Sequence, residues 1–225
     1  MLTVVRLGSG DAGKIGEAVE KGADVVIVER PDAGKLKAHA KNSGVVGGVN
    51  AAAADRAAVA DLAESGADFV VTDLESGLAE ALLEEKLGYV LSIPLETSDT
   101  VLRLIGDLSL DAVIVPAIEG MFSLGNALQL RRVATLAGSP LLTEVALPVD
   151  EAELEALRGA GVTGVIVQGS AISKLKKLRK TIESLPERKT KRDDRLEASL
   201  PMGIAARTNA DRDDDHDEDD EEDDE

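Results

Sequence analysis

The sequence predicts a single small (β/α)₈ barrel over residues 1–186, followed by a disordered, acidic tail over residues 187–225. Three observations predict this fold class. Eight short apolar runs each lead into a helix-like segment, these units repeat in pairs, and the apolar residues are almost all aliphatic. An open, doubly wound parallel sheet has the same local pattern and is the alternative architecture.

The eight apolar runs are uniformly apolar, as expected of strands that are buried on both faces of a parallel sheet. In order they span residues 2–6, 25–29, 45–50, 69–73, 89–95, 113–116, 141–147 and 165–168. The helix-like segments that follow them span residues 12–21, 32–42, 52–65, 77–86, 98–106, 125–137, 150–159 and 171–184. Asp55, Ser98 and Asp150 stand near helix starts, where such side chains cap free backbone N–H groups. Eight units in 186 residues fit a closed barrel with short connections.

A repeat of two units runs through this series. The four matching positions lie just before or at the start of a strand and are 44, 43 and 52 residues apart: Asp24, Asp68, Asp111 and Thr163. This spacing is about twice the length of a compact βα unit, so one further strand is expected within each interval.

The composition limits the class of protein. There is no Trp or Cys, one Tyr and two Phe, so the core must be aliphatic, and disulfides and thiolate metal sites are excluded. No apolar run reaches the roughly 18 residues that span a bilayer. The first residues resemble a strand more than a leader sequence. These observations predict a soluble, cytoplasmic protein.

Charge is distributed unevenly along the chain, whose formal net charge is −18. Residues 211–225 contain 13 acidic residues and one Arg, whereas residues 174–195 contain ten basic and four acidic residues. The body is acidic too, which disfavours nucleic acid or a membrane as the main partner. We expect a small anionic ligand and leave a homo-oligomer open. The tail is expected to contact a basic partner or the chain's own 174–195 segment.

In barrels of this kind, active sites lie at the carboxyl ends of the strands. Read in order, these ends carry Arg6, Glu29, Asn50, Asp73 with Glu75, Glu96, Glu119, Glu144 and the sequence Gln168-Gly169-Ser170. So many carboxylates suit either a Mg²⁺ or Mn²⁺ site or a general acid–base pair, and solvated loop residues are the alternative interpretation of any one of them.

The candidate catalytic residues are therefore Glu119, Glu144 and Asp73, and the candidate metal ligands are Glu119 and Glu144. Arg6 is the candidate for binding an anionic substrate group. His39 falls in a predicted helix, His216 falls in the tail, and no strand ends in Lys. Proton transfer by imidazole and Schiff-base chemistry are therefore not expected at the strand ends.

The segment Val167-Gln168-Gly169-Ser170-Ala171-Ile172 joins a strand to a helix start through a Gly-Ser turn. Free N–H groups at such a turn favour an anion. These six residues resemble the phosphate-binding ends of small barrels such as the tryptophan synthase α-subunit and thiamine-phosphate synthase families. The resemblance implies that Gln168, Gly169 and Ser170 contact a phosphate. A tight βα turn that needs a small residue is the alternative interpretation.

A second resemblance concerns the sixth strand. Pro116-Ala117-Ile118-Glu119, with Asn126-Ala127 further along, resembles the metal-binding Glu segment of the citrate lyase β-subunit and HpcH/HpaI aldolase group. This resemblance implies that Glu119 holds Mg²⁺ beside a pyruvate-type carbonyl. It also implies that Glu144 replaces the Asp that the group carries on a later strand, and that Arg6 binds a carboxylate.

Three functional hypotheses follow. The first is a lyase or isomerase that acts on a phosphorylated or carboxylated metabolite at the C-terminal mouth of the barrel. The second is a non-catalytic barrel that binds a ligand or partner. The third is a nucleotide-binding protein that uses Lys14, because residues 8–14 fit the spacing of a phosphate-binding P-loop, although Ile15 stands where a hydroxyl residue would hold Mg²⁺.

Overall fold

Eight parallel strands form one closed barrel in chain order. The computed structural model describes residues 1–37 and 44–186. The strands are β1 Leu2–Arg6, β2 Val25–Glu29, β3 Val46–Asn50, β4 Phe69–Asp73, β5 Gly88–Ser92, β6 Ala112–Val115, β7 Leu141–Glu144 and β8 Val162–Gln168. The ring closes between β1 and β8, from the pair Leu2 and Gly164 to the pair Arg6 and Gln168. The predicted (β/α)₈ TIM barrel is confirmed, and the alternative open sheet is wrong.

Helical segments follow the strands, mostly where the sequence predicts them. The α-helices of the described residues are α1 Ile15–Glu20, α2 Arg56–Glu64, α3 Asp99–Gly106, α4 Leu124–Leu136, α5 Glu151–Gly159 and α6 Leu175–Ser184. Short 3₁₀ helices span Asp11–Lys14, Arg30–Lys35, Ala79–Leu83 and Gly169–Lys174. Side-chain caps fix four α-helix starts, because Asp55, Ser98, Ser123 and Asp150 each accept a hydrogen bond from a backbone N–H three residues further on.

The prediction of a full helix over residues 77–86 is wrong. Only the 3₁₀ helix Ala79–Leu83 forms there. The hydroxyl oxygen of Tyr89 lies within hydrogen-bond distance of the carbonyl oxygens of Ala81 and Glu84, the latter at 2.7 Å, and its single proton is shared between them. The carbonyl of Ala81 also accepts the N–H of Glu84 in the last turn of the 3₁₀ helix. The hydroxyl of Tyr89 thus ties the end of this short helix to the start of β5.

Each strand packs one face into the barrel and the other against the helices, because successive side chains point to opposite sides. The interior cluster consists of Val4, Ile27, Phe69, Val71, Val90, Ala112, Ile114, Leu142 and Ile166. Gly48 completes this layer, since a side-chain carbon at residue 48 would collide with the ring of Phe69. A larger aliphatic cluster lies between the strands and the helices.

The two-unit repeat has a structural explanation at the N-terminal ends of the strands. The side chains of Asp24, Asp68 and Asp111 each accept a hydrogen bond from the backbone of the preceding strand, from the N–H groups of Thr3, Gly47 and Tyr89 at 2.7–2.8 Å. Thr163, in the fourth position, donates from its hydroxyl group to the carbonyl of Leu141 at 2.9 Å. The repeat therefore joins strands in pairs at the face opposite the mouth, where a role in stability is expected.

Some sequence-based predictions lie outside the described residues. The disordered acidic tail over residues 187–225 is one, and the placement of His39 in a helix over residues 32–42 is another. Among the residues that the structure does describe, no helix combines the length and apolar character needed to cross a bilayer.

Candidate functional site

The mouth of the barrel is lined by polar side chains from the last inward-facing position of seven strands. Alternation along each strand places these residues on the same face as the interior cluster. They are Arg6, Glu29, Asn50, Asp73, Ser92, Glu144 and Gln168, which together we call the mouth ring. Six of these positions were predicted as strand-end residues, and Ser92 was missed.

Ser92 was missed because the predicted strand over residues 89–95 is too long, whereas β5 spans Gly88–Ser92. The apolar run continues through Ile93, Pro94 and Leu95, so it does not mark Ser92 as the last residue of the strand. Glu96, which was taken as this strand's end, lies instead in the following loop.

An ion pair joins Arg6 to Glu144 across the mouth ring. The Nη1 atom of Arg6 donates to the Oε1 atom of Glu144, and both side chains are 21 % exposed. Gln168 lies on the strand between them and donates from Nε2 to the other oxygen of Glu144 at 3.5 Å, a long and weak hydrogen bond. The structure therefore brings together three predicted site residues, on β7, β8 and β1.

A second polar pair lies on the other side of Arg6. The Nδ2 atom of Asn50 is 3.2 Å from both carboxylate oxygens of Glu29. These residues end the adjacent strands β2 and β3, where they are partners in the strand register. Glu29 and Glu144 therefore each have an amide neighbour, but only Glu144 has an ion-pair partner among the residues of the two described ranges.

Asp73 is bound by its own loop. Its Oδ1 atom accepts hydrogen bonds from the backbone N–H groups of Ser76 and Glu75, at 2.7 and 3.1 Å, and its Oδ2 atom accepts one from the hydroxyl group of Ser76. The hydroxyl of Ser76, followed by the two backbone N–H groups, lowers the pKa of Asp73 below the ordinary value of 3.8. Asp73 is therefore held as a carboxylate that closes the β4 turn, and its catalytic role stays a prediction.

Glu119 does not end a strand. β6 ends at Val115, and Glu119 lies four residues further on, exposed in the loop that leads to α4. Nowhere in residues 1–37 and 44–186 do three or more Asp, Glu or His side chains group closely enough to hold a metal ion. The side chains of the mouth ring therefore do not form a complete Mg²⁺ or Mn²⁺ site, and a site formed by Glu119 and Glu144 stays a prediction.

The Gly-Ser turn after β8 is tightly packed. A side-chain carbon at Gly169 would lie 2.8 Å from Leu7 and 3.3 Å from the carbonyl oxygen of Arg6, so only glycine fits between the ends of β8 and β1. Gly169 is buried and Ser170 is exposed at the start of a six-residue 3₁₀ helix. The structure thus gives Gly169 a packing role, and phosphate binding by this turn stays a prediction.

The groups of the P-loop-like segment are already paired. The backbone N–H of Gly10 donates to the buried carboxylate of Asp32 at 2.7 Å, and Lys14 forms an ion pair with Asp11 at 2.9 Å. Lys35 bonds to Asp32 as well, and these two hydrogen bonds lower the pKa of Asp32, with the Lys35 bond the larger cause. The segment therefore connects the β1 and β2 loops.

A shallow depression of about 410 Å³ lies away from the mouth ring, between the start of α2 and the 3₁₀ helix Ala79–Leu83. Its lining includes Asp55, Arg56, Glu80 and Glu84. Asp55 already caps α2, and the lining contains none of the predicted site residues.

Comparison with known proteins supports the fold and leaves the activity open. No family model and no curated protein matches the chain. Among solved structures, it resembles the tryptophan synthase α-subunit of Pyrococcus furiosus, with a TM-score of 0.65 and 15 % identity over 82 % of this chain and 97 % of that one. It also resembles thiamine phosphate pyrophosphorylase from Pyrococcus furiosus, with a TM-score of 0.62 and 16 % identity over 81 % and 96 % of the two chains.

A third similar structure is an HpcH/HpaI aldolase from Desulfitobacterium hafniense, with a TM-score of 0.59 and 16 % identity over 84 % of this chain and 95 % of that one. Three of the families that the sequence resembles are thus among those whose structures it matches. At these identities the likeness shows the fold, so the class of protein that the structure defines is the TIM barrel.

Proposed function

We propose that this protein is a small-molecule enzyme of the lyase or isomerase type, which acts on a carboxylated or phosphorylated metabolite at the mouth of the barrel. The observation that carries this proposal is the partly buried ion pair between Arg6 and Glu144 on inward-facing strand ends. One of these groups binds anions and the other can transfer a proton, and the two lie side by side where barrel enzymes bind their substrates.

Arg6 binds the anionic group of the substrate. Its interaction with Glu144 uses Nη1, and the guanidinium group has further N–H donors in a planar arrangement that suits a carboxylate or a phosphate. A substrate that takes over Arg6 deprives Glu144 of its cation. The carboxylate of Glu144, released from its ion pair, is then free to contact a proton of the bound substrate.

The remaining predicted residues have supporting roles in this proposal. Gln168 orients Glu144, and the backbone of Gly169 and Ser170 receives a phosphate where the substrate has one. Asp73 supports the turn beside the site. Glu119, in the loop after β6, and Glu144 are the residues that would hold a divalent metal ion, which would complete its ligands with water or substrate oxygens.

Solvent exchange tests the proton-transfer role directly. We expect the protein in D₂O to exchange a carbon-bound proton of at least one member of a panel of 2-oxo acids, hydroxy acids, amino acids and sugar phosphates, followed by proton NMR. Glu144→Gln should slow this exchange by about 10²-fold or more, because it removes the base. Arg6→Met should weaken binding of the same compound.

Glu85→Gln provides the matched control, because it removes one exposed carboxylate far from the mouth ring. We expect it to exchange at the rate of the unaltered protein. Full exchange by Glu144→Gln would contradict the proposed base. Binding of a panel compound with no exchange in any condition would favour the non-catalytic barrel instead.

A further inference from the structure

Five neighbouring strands of the mouth ring carry charges of both signs together with two amide groups. In spatial order these are β7, β8, β1, β2 and β3, and they present Glu144, Gln168, Arg6, Glu29 and Asn50. The guanidinium group of Arg6 therefore lies between the carboxylates of Glu144 and Glu29 along the ring. The amide of Gln168 contacts Glu144, and the amide of Asn50 contacts Glu29.

The two carboxylates differ in what they bind. Glu144 holds Arg6, whereas Glu29 receives only the amide of Asn50, at 3.2 Å, within the part of the chain that the structure describes. Arg6 in turn has donors left over, and its Nε atom is buried without an acceptor. The mouth ring thus has unused capacity for an anion beside unused capacity for a cation.

Several other charged groups around the mouth are already bound. Asp73 is bound by its own turn, Lys14 pairs with Asp11, and Lys35 pairs with Asp32. A ligand that carries only negative charge would therefore meet Arg6 together with two carboxylates, and the repulsion would offset much of the attraction. A ligand that carries only positive charge would meet Arg6 as well.

We infer that the mouth ring binds a small zwitterion, whose carboxylate group contacts Arg6 and whose ammonium group contacts Glu29. This inference rests on the proposed function, because it specifies the substrate class of the same site. β1 and β2 are adjacent strands, about 4.8 Å apart, and Arg6 is the register partner of Ile27, so Glu29 lies two residues further along β2. Arg6 and Glu29 are therefore separated along the strands as well as between them, and amino acids with one to three carbons between the two charged groups cover a range of spans that these two long side chains can bridge.

Binding of simple probes tests this charge pattern. Glycine, β-alanine and 4-aminobutyrate serve as zwitterions, acetate and propionate as anions, and ethylamine as the cation, each titrated by NMR or calorimetry. We expect at least one zwitterion to bind about tenfold more tightly than acetate and ethylamine, because it gains both charge contacts at once.

Glu29→Gln tests the ammonium contact separately from the carboxylate contact at Arg6, because it keeps the shape of the Glu29 side chain and removes its charge. We expect it to lower zwitterion affinity about tenfold while acetate binds as well as before or better. Glu85→Gln, the same change on an exposed loop, should alter neither the zwitterion affinity nor the acetate affinity, and urea unfolding verifies that both variants fold.

Equal affinities for acetate and the zwitterions, with no effect of Glu29→Gln, would overturn this inference and leave the carboxylate site at Arg6 intact. Binding of no probe and no panel compound would overturn the proposed function as well.

Discussion

At the scale of single residues, the carboxylates of the mouth ring have different environments although the sequence makes them look alike. Glu144 is paired with a cation, Glu29 is bonded to an amide, and Asp73 is bonded to a hydroxyl and two backbone N–H groups. Only the first two can face a ligand without breaking a turn. This difference explains why we give the proton transfer to Glu144 and the ammonium contact to Glu29.

The pKa of Asp73 provides a residue-scale prediction. Ser76→Ala removes the largest cause of its depression, so the pKa of Asp73 should rise towards 3.8, which a carboxyl NMR titration measures. The pKa of Asp73 is lower in the folded than in the unfolded protein. Its contribution to stability is therefore present above about pH 4 and lost as the pH falls through the folded value.

The same variant should consequently be less stable than the unaltered protein at pH 7, and the difference should shrink as the pH falls below 3.8. Urea unfolding at several pH values measures this. Ser173→Ala, a change at an exposed position of the last 3₁₀ helix, should leave the pKa of Asp73 unchanged. An Asp73 pKa that stays the same in Ser76→Ala would show that the hydroxyl bond is not the cause.

At the scale of elements, the strands are joined in pairs at the N-terminal face by the repeated Asp positions. The side chain of each Asp accepts a hydrogen bond from a backbone N–H of the previous strand, and the backbone N–H of the same Asp donates a hydrogen bond to that strand. Asp68, for example, donates to the carbonyl oxygen of Gly47 at 2.8 Å. The side chain thus extends the strand ladder by one hydrogen bond. Asp24 differs from the others in that it also binds Arg179 of α6.

Asp68 is the best position for testing this element, because no ion pair obscures the result in the part of the chain described here. Asp68→Ala leaves the N–H of Gly47 without its acceptor, so we expect the free energy of unfolding to fall by about 1–3 kcal/mol. Asp61→Ala, on the exposed surface of α2, should change it by only about 0.5 kcal/mol or less. Similar losses in the two variants, measured by urea unfolding, would argue against the strand-pairing role.

At the scale of the whole molecule, the barrel is complete before the tail begins. Every strand has two neighbours, the ring is closed between β1 and β8, and β8 ends at Gln168. Helix α6 follows and contributes the buried residues Leu175 and Leu178 to the aliphatic cluster between the strands and the helices. The stability of the barrel should therefore depend on the chain up to the end of α6.

Truncation after residue 195 tests this expectation. We expect the melting temperature to change by about 2 °C or less, because the closed ring and its helices remain. Truncation after Lys174 is the contrasting variant. It removes α6 with its buried leucines and should abolish cooperative unfolding or lower the melting temperature strongly. A large decrease after the first truncation would show that the tail stabilises the barrel.

The sequence determined the order of the elements and most of the strand-end residues of the mouth ring, and it favoured a closed barrel over an open sheet with the same local pattern. Eight aliphatic runs separated by helix-like segments are local patterns, so they can be recognised without knowledge of the fold. The recurrence of Asp24, Asp68 and Asp111 at a spacing of two units indicated a further strand within each interval, and the structure shows that these residues join the strands in pairs. The limits of β5 and the helix over residues 77–86 were predicted less well, because Tyr89 bonds there to carbonyl groups that local propensity assigns to a helix.

Only the tertiary structure decided which polar groups meet. Arg6 and Glu144 are 138 residues apart in the chain and become neighbours because the barrel closes between β8 and β1. Glu119 lies beyond the mouth ring, because β6 ends four residues before it. Sequence patterns indicate approximately where the strands end, but ring closure and the course of the loops set the distances between the strand ends. These distances decide whether a strand-end carboxylate forms an ion pair, as Glu144 does, or is left exposed to solvent, as Glu119 is.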